Sequence, residues 1–154
     1  MAEVRAGTAA DVAGLRTLGE VVIPATYDPI DPALSALILD EWWAVDRLAD
    51  QVGRLPHVVA ESDGEIVGMA NLGRRGDREV MWKLYIHPEH QGSGLGARLL
   101  AATEHLVDGD ELWLEHVAGN DQAAGFYARH GFTEVERVPN PPYPDDVWMR
   151  KVLR

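Results

Sequence analysis

A mixed α/β fold, with a largely antiparallel central sheet and helices on both faces, is predicted by three features of the 154-residue sequence. Short runs with two-residue alternation interleave with stretches whose apolar residues recur every three or four positions. Two of the strand-like runs are joined by Ser62-Asp63-Gly64, a hairpin signal that makes them antiparallel neighbours. A glycine-rich run, Gln91-Gly92-Ser93-Gly94-Leu95-Gly96, separates a strand from a helix in mid-chain.

The elements follow in order. Glu3–Ala6 reads as a short strand. Thr8 and Asp11 have capping-box spacing and start a helix over about 9–21. Asp31-Pro32 starts a second helix, with Asp as N-cap and Pro in the first turn. Leu34, Leu37, Ile38, Trp42, Val45, Leu48 and Val52 then keep helical spacing to near Gly53. Strands are predicted at 58–61, 65–70 and 78–86. A helix from the glycine run to about Val107, a strand at 111–117 and a helix at 121–130 come next. Gly131 stops that last helix. Strands at 132–138 and 146–153 flank a stiff, Pro-rich loop at 139–145. The order is β-α-α-β-β-β-α-β-α-β-β, and with no repeat or low-complexity linker it predicts a single domain over 1–154.

Composition narrows the function. There is no apolar run long enough to span a membrane, and the Met1-Ala2-Glu3-Val4-Arg5 start lacks signal-peptide character, so a cytoplasmic location is expected. Zero cysteines exclude disulfides, thiolate nucleophiles and Cys-type zinc sites. A formal net charge of −11 argues against general nucleic-acid binding and favours a cationic partner or substrate. His87 and His90 have no third partner, so no metal is expected.

Three glycines in five positions let a ligand approach the backbone, and the helix start that follows presents free N–H groups and the positive end of its dipole. Strand, glycine loop and helix N-terminus together form an anion cradle, most often for a pyrophosphate. Gly92-x-Gly94-x-x-Ala97 also satisfies the dinucleotide fingerprint, but Pro88 and its neighbours displace the first glycine from the strand end. A dinucleotide-binding enzyme is thus the lesser alternative. No Gly-Lys-Ser/Thr follows, which excludes a nucleotide-hydrolysing phosphate loop.

Gln91-x-x-Gly94-x-Gly96, preceded by Ile86-His87-Pro88-Glu89-His90, resembles the acetyl-CoA-binding motif of the Gcn5-related N-acetyltransferase (GNAT) superfamily. A second block, Leu112-Trp113-Leu114-Glu115, Asn120-Asp121-Gln122-Ala123-Ala124 and Phe126-Tyr127-Ala128-Arg129-His130-Gly131-Phe132, resembles it too. The element order above is also that family's. The resemblance implies two central parallel strands, around Leu84 and Leu114, that splay to admit acetyl-CoA (coenzyme A). It implies cofactor contacts from Tyr85, Ile86, Gln91, Gly92, Ser93, Gly94, Leu95, Gly96, Asn120 and Tyr127. It implies Tyr127 as the acid that protonates the leaving thiolate.

Glu115 lies on the strand face opposite Leu112 and Leu114, and partial burial would raise its pKa toward a useful base. Its place in Leu-Trp-Leu-Glu resembles the branch that acetylates ribosomal-protein N-termini, where that Glu is the base; water is the alternative. Lys83 departs from the carboxylate or polar group common at its position. Trp42 or Trp43, helix-two residues, and Tyr143 in the Pro-rich 140–144 loop are expected at the acceptor cleft. Arg74, Arg75 and Arg78 read as a solvated turn. The activity implied is transfer of acetyl from acetyl-CoA to a small amine or a peptide N-terminus. A non-catalytic acyl-CoA-binding module is the other reading, and a homodimer stays open.

Overall fold

In the computed structural model, which describes residues 1–154, one seven-stranded sheet carries helices on both faces. The elements are β1 (Glu3–Ala6), α1 (Val12–Tyr27), α2 (Pro32–Trp42), α3 (Val45–Arg54), β2 (His57–Ser62), β3 (Glu65–Arg75) and β4 (Arg78–Ile86). They continue with α4 (Leu95–Leu106), β5 (Glu111–Val117), α5 (Asp121–Arg129), β6 (Thr133–Asn140) and β7 (Tyr143–Val152). The strand order is β1-β2-β3-β4-β5-β7-β6. Every neighbouring pair is antiparallel except β4 and β5. A doubly wound parallel sheet, which the dinucleotide reading needs, is not what this chain forms.

Alternation divides the core. Val58, Ala60, Met81, Leu112 and Leu114 face α4 and α5, while Val59 and Met69 face α1–α3. The Ser62-Asp63-Gly64 hairpin forms as expected, with Asp63 at φ 52° and Gly64 at φ 80°, the type I′ pattern.

Four segments differ from the sequence expectation, the first being β3, which runs past residue 70 to Arg75. Helix α1 runs past residue 21 to Tyr27, with Pro24 inside it. An interior Pro costs about 3 kcal/mol. Burying Ile23 and Tyr27 offsets that, at roughly 1.5–3 kcal/mol for each large apolar side chain. The single helix expected over 31–53 breaks at Trp43-Ala44 into α2 and α3. The break turns Trp43 fully into the core. Arg16 Nη1 donates to the Leu39 and Trp43 carbonyls at 3.1 and 3.0 Å, and Lys83 Nζ donates to the Trp42 carbonyl at 2.8 Å. Two cations therefore satisfy carbonyls that a continuous helix would have used itself. Finally, the loop expected over 139–145 shrinks to Pro141-Pro142, because β6 and β7 pair as far as Asn140 with Tyr143.

Trp43 also explains a close approach. A Cβ on Gly19 would collide with its ring. Gly19→Ala is therefore expected to cost about 1–3 kcal/mol by overpacking. For a chain of this size that lowers Tm by roughly 2–4 °C per kcal/mol, which a thermal melt reads directly.

Two irregularities of β4 position the site. Its register with β3 shifts between Asn71↔Lys83 and Gly73↔Val80, leaving one extra residue on β4. This bulge brings consecutive Trp82 and Lys83 to the same cleft. The parallel pairing with β5 is confined to Val80↔Trp113. Beyond it β4 stays with β3 to Ile86 and β5 stays with β7 to Val117, so the two strands part.

Candidate active site

The glycine run stands at the mouth of that gap. Gly92 and Gly94 have φ of 78° and 83°, a region that side chains rarely adopt, and open space surrounds each where a Cβ would sit. Gly94 is the N-cap of α4, and no side chain caps the helix. The first intrahelical bond is Arg98 N–H to the Gly94 carbonyl. No backbone N–H from Gly92 to Ala97 donates to another protein group. This run of free donors lies at the positive end of a twelve-residue helix, the arrangement that receives an anion. Arg98, half-buried on the first turn, makes no ion pair.

Two concavities open from the gap. A groove of about 390 Å³ runs between the C-terminal half of α1 and the start of α5, and includes Ile86, Gln91 and Asn120. Asn120 caps α5 by accepting from the Ala123 N–H at 3.3 Å. Gln91 bridges Ile86 and Gln122 through its side-chain amide, each bond 3.4 Å. A larger cleft of about 600 Å³ lies under α2 and α3 and includes Tyr27, Tyr85, Glu115, Lys83 and Asp146.

The titratable groups Tyr27, Tyr85, Glu115 and Asp146 line that cleft, while Tyr127 belongs to the core cluster on the α4–α5 side of the sheet. Glu115 on β5 is pushed up to about 7, chiefly by burial and also by Asp146, with Arg75 opposing. Glu115 pairs in register with Trp148 and Val117 with Asp146, so the two carboxylates are diagonal neighbours on one sheet face. Asp146 is raised as well, by burial first and by Asp145. The hydroxyls of Tyr27 and Tyr85 are hydrogen-bonded at 2.7 Å, and burial raises both pKa values. Tyr127, 8% exposed, stacks on His116 and makes edge contacts with Phe126 and Phe132. Burial holds its phenol well above the usual range. No protein group hydrogen-bonds its hydroxyl, yet that oxygen is not sealed from solvent.

The site thus combines a run of free N–H groups at a helix start, which can receive an anion, with a raised carboxylate and a buried phenol. The family model described as the acetyltransferase (GNAT) domain matches residues 54–134, just over half of the chain. The chain belongs to the GNAT family. It is similar to the mycothiol acetyltransferase of Kineococcus radiotolerans, 33% identical over 98 residues, which are 62% of this chain and 32% of that protein. It is also similar to the N-alpha-acetyltransferase RimI of Mycobacterium tuberculosis, 34% identical over 84 residues, 51% of this chain and 52% of the relative. The chain thus spans about a third to about half the length of these curated relatives. Among solved structures, the PaiA N-acetyltransferase of Thermoplasma acidophilum in complex with coenzyme A shares the fold. The TM-score is 0.87 at 20% identity, with 99% of each chain covered.

Within this GNAT chain the residues singled out from sequence divide. Gln91, Gly92, Gly94, Ile86 and Asn120 gather at the cradle and groove. Ser93 spends its hydroxyl on the His90 carbonyl. Leu95 packs in the core, and Gly96 lies where a Cβ would press on Phe126 at 3.1 Å. Tyr85 faces the larger cleft, not the groove. Both Trp42 and Trp43 contribute to the larger cleft: Trp42, 51% exposed, presents its ring under Arg47, while Trp43 is fully buried behind it. Tyr143 starts β7 and is half-buried against the α1–α3 core, paired with Asn140, which lines the cleft together with Asp146.

Arg75 and Arg78 are also not merely solvated: their guanidiniums lie over Trp148 and Trp113 at 5.2 and 3.8 Å. Sequence reasoning missed Tyr27 and Asp146. Tyr27 lies beyond the expected end of its helix, and the raised Asp146 sat at the edge of a strand run with no motif.

Proposed function

We propose that this chain is an acetyl-CoA-dependent N-acetyltransferase acting on a primary amine by direct attack, with Glu115 as base and Tyr127 as acid. The observation that carries the reading is the unbroken run of free N–H groups from Gly92 to Ala97, beside the gap between β4 and β5. A pyrophosphate fits this cradle, because the space over Gly92 and Gly94 is open and the donors are unused. Arg98 would add a cation, and Asn120, Gln91 and Ile86 would line the path of the pantetheine arm.

Bound acetyl-CoA supplies a thioester carbonyl and a thiol leaving group. Glu115 takes one proton from the acceptor ammonium, leaving a neutral nitrogen to bond the carbonyl carbon. The C–S bond breaks as Tyr127 gives its proton to sulfur. The second proton lost by nitrogen restores Tyr127, and Glu115 returns the first to water in the cleft. No cysteine is present to form an acyl-enzyme, so a single displacement accounts for the transfer. Tyr127 is suited to its part because burial keeps it protonated at neutral pH.

Tyr127→Phe is expected to lower kcat by about ten- to a thousandfold while acetyl-CoA affinity stays the same. Its hydroxyl has no protein partner, so the change leaves the ring packing intact. Thiol release over an amine panel, with calorimetry of acetyl-CoA, tests the whole reading. Absence of both binding and release would overturn it. Binding without release from any amine would leave an acyl-CoA-binding module.

A further inference from the structure

Lys83 is a buried amine with no carboxylate partner. It is 7% exposed, and its Nζ donates to the Trp42 carbonyl at 2.8 Å and to Gln51 Oε1 at 3.0 Å. Its Nζ sits 4.3 Å from the centre of a Trp43 ring. An ammonium has three protons, so one remains for another acceptor. No carboxylate lies within ion-pair range of it, whereas the cleft's arginines are matched: Arg47 with Glu41 and Arg54 with Asp50. Buried charges are normally paired.

The opposite imbalance occurs at Glu115 and Asp146. Neither makes an ion pair with any side chain, and the cation that influences both, Arg75, has its guanidinium over Trp148. Lys83 lies on β4 and Glu115 on β5, strands that pair only at Val80 and Trp113 and part beyond it, and no ion pair joins the two side chains. The α2 wall beside them carries Leu34, Leu37, Ile38 and Trp42.

We propose that the acceptor is an amino carboxylate, a primary amine and a carboxylate carried on one apolar body, with its ammonium at Glu115 and Asp146 and its carboxylate on Lys83. This rests on the acetyl-transfer reading of the same cleft and narrows it. Each pole of such a molecule supplies the partner that one end of the cleft lacks. A wholly cationic polyamine leaves Lys83 unmatched and sets like charges together. A long peptide N-terminus carries its carboxylate out of reach. Lys83 acts here as a specificity-determining residue that touches the acceptor.

The test pairs acceptors that differ only at the carboxylate: leucine with leucinamide, and 6-aminohexanoate with its amide. With the wild-type chain at least one carboxylate is expected to show a kcat/KM about tenfold or more above its amide, the scale of one charge-assisted hydrogen bond. In Lys83→Met the ratio should fall toward one. The second readout needs neither turnover nor a variant. Burial holds empty Lys83 at about 7, so at pH 8 it is largely neutral. Binding of N-acetylleucine or N-acetyl-6-aminohexanoate should then draw in a large fraction of a proton, measured by calorimetry in two buffers of different ionisation enthalpy. The corresponding N-acetyl amides should draw none.

Amides turned over as well as both carboxylates, a preference that survives in a folded Lys83→Met, or product binding without proton uptake each overturn the inference while leaving acetyl transfer standing. No thiol release and no acetyl-CoA binding overturn acetyl transfer itself, and product calorimetry still reads the inference separately.

Discussion

Glu115→Gln is expected to lower kcat by about 10²–10⁴-fold and to remove a pH step near 7 from kcat/KM. The step follows from the position of this carboxyl, raised to about 7 mainly by burial. A base works deprotonated. Below 7 the protonated form dominates and kcat/KM falls about tenfold per pH unit; above 7 this contribution levels off. Wild type binds the ammonium, so the acceptor's own ionisation should lower its kcat/KM at higher pH, whereas Glu115→Gln must take the neutral amine and should rise there. Asp146→Asn removes the neighbouring negative charge, so it should move the step to lower pH.

Stability supplies an independent check on the same carboxyl. The folded-state pKa exceeds the unfolded value, so the folded chain holds its proton where the unfolded chain has released it. Below about 4 both states are protonated and nothing is lost. Between about 4 and 7 stability declines as pH rises, and above 7 the decline is complete. Glu115→Gln should therefore melt above wild type at pH 8, with the gap closing toward pH 4. A slower enzyme that is also more stable is the signature of a carboxylate kept for chemistry at a structural cost. A variant that is neither slower nor more stable would assign Glu115 to the solvated end of its strand.

The parts of this site that could be read from sequence are those fixed locally. Asp63-Gly64 demands its turn, Gly94 its left-handed cap, and Asn120 its N-cap, each within a few residues. The side of β5 that carries Glu115 follows from simple alternation with Leu112 and Leu114. What escaped depends on partners far along the chain. The α2–α3 break exists because Arg16 and Lys83, 27 residues before and 41 residues beyond the carbonyls they bind, replace helical bonds. Tyr27 meets Tyr85 across 58 residues. Asp146 joins Glu115 only through the β5–β7 register. Lys83 was visible as an odd residue, but its desolvation comes from Trp42, Trp43 and Gln51, which no spacing rule brings to it.

Gly94→Asp should weaken acetyl-CoA binding by about a hundredfold or more while the chain stays folded. At φ 83° a side chain costs roughly 1–2 kcal/mol, and Asp is among the residues that bear this best. No atom stands within 4 Å of the new Cβ, so packing adds nothing to that cost. Asp is also a favoured N-cap, and α4 has no side-chain cap to displace. The helix should therefore persist, with a Tm within several degrees of wild type.

The same carboxylate would occupy the N–H groups that the pyrophosphate needs and repel its charge at the positive end of the helix. Gly94→Asn separates the two effects. It has the same size and backbone strain without the charge, so its loss of affinity should be smaller and less sensitive to salt. Calorimetry of acetyl-CoA at two ionic strengths reads all three proteins. Normal binding by a folded Gly94→Asp would remove the anion from this helix start. Equal losses in Asp and Asn, independent of salt, would mean that the backbone shape at Gly94, and not its open donors, controls entry of the cofactor.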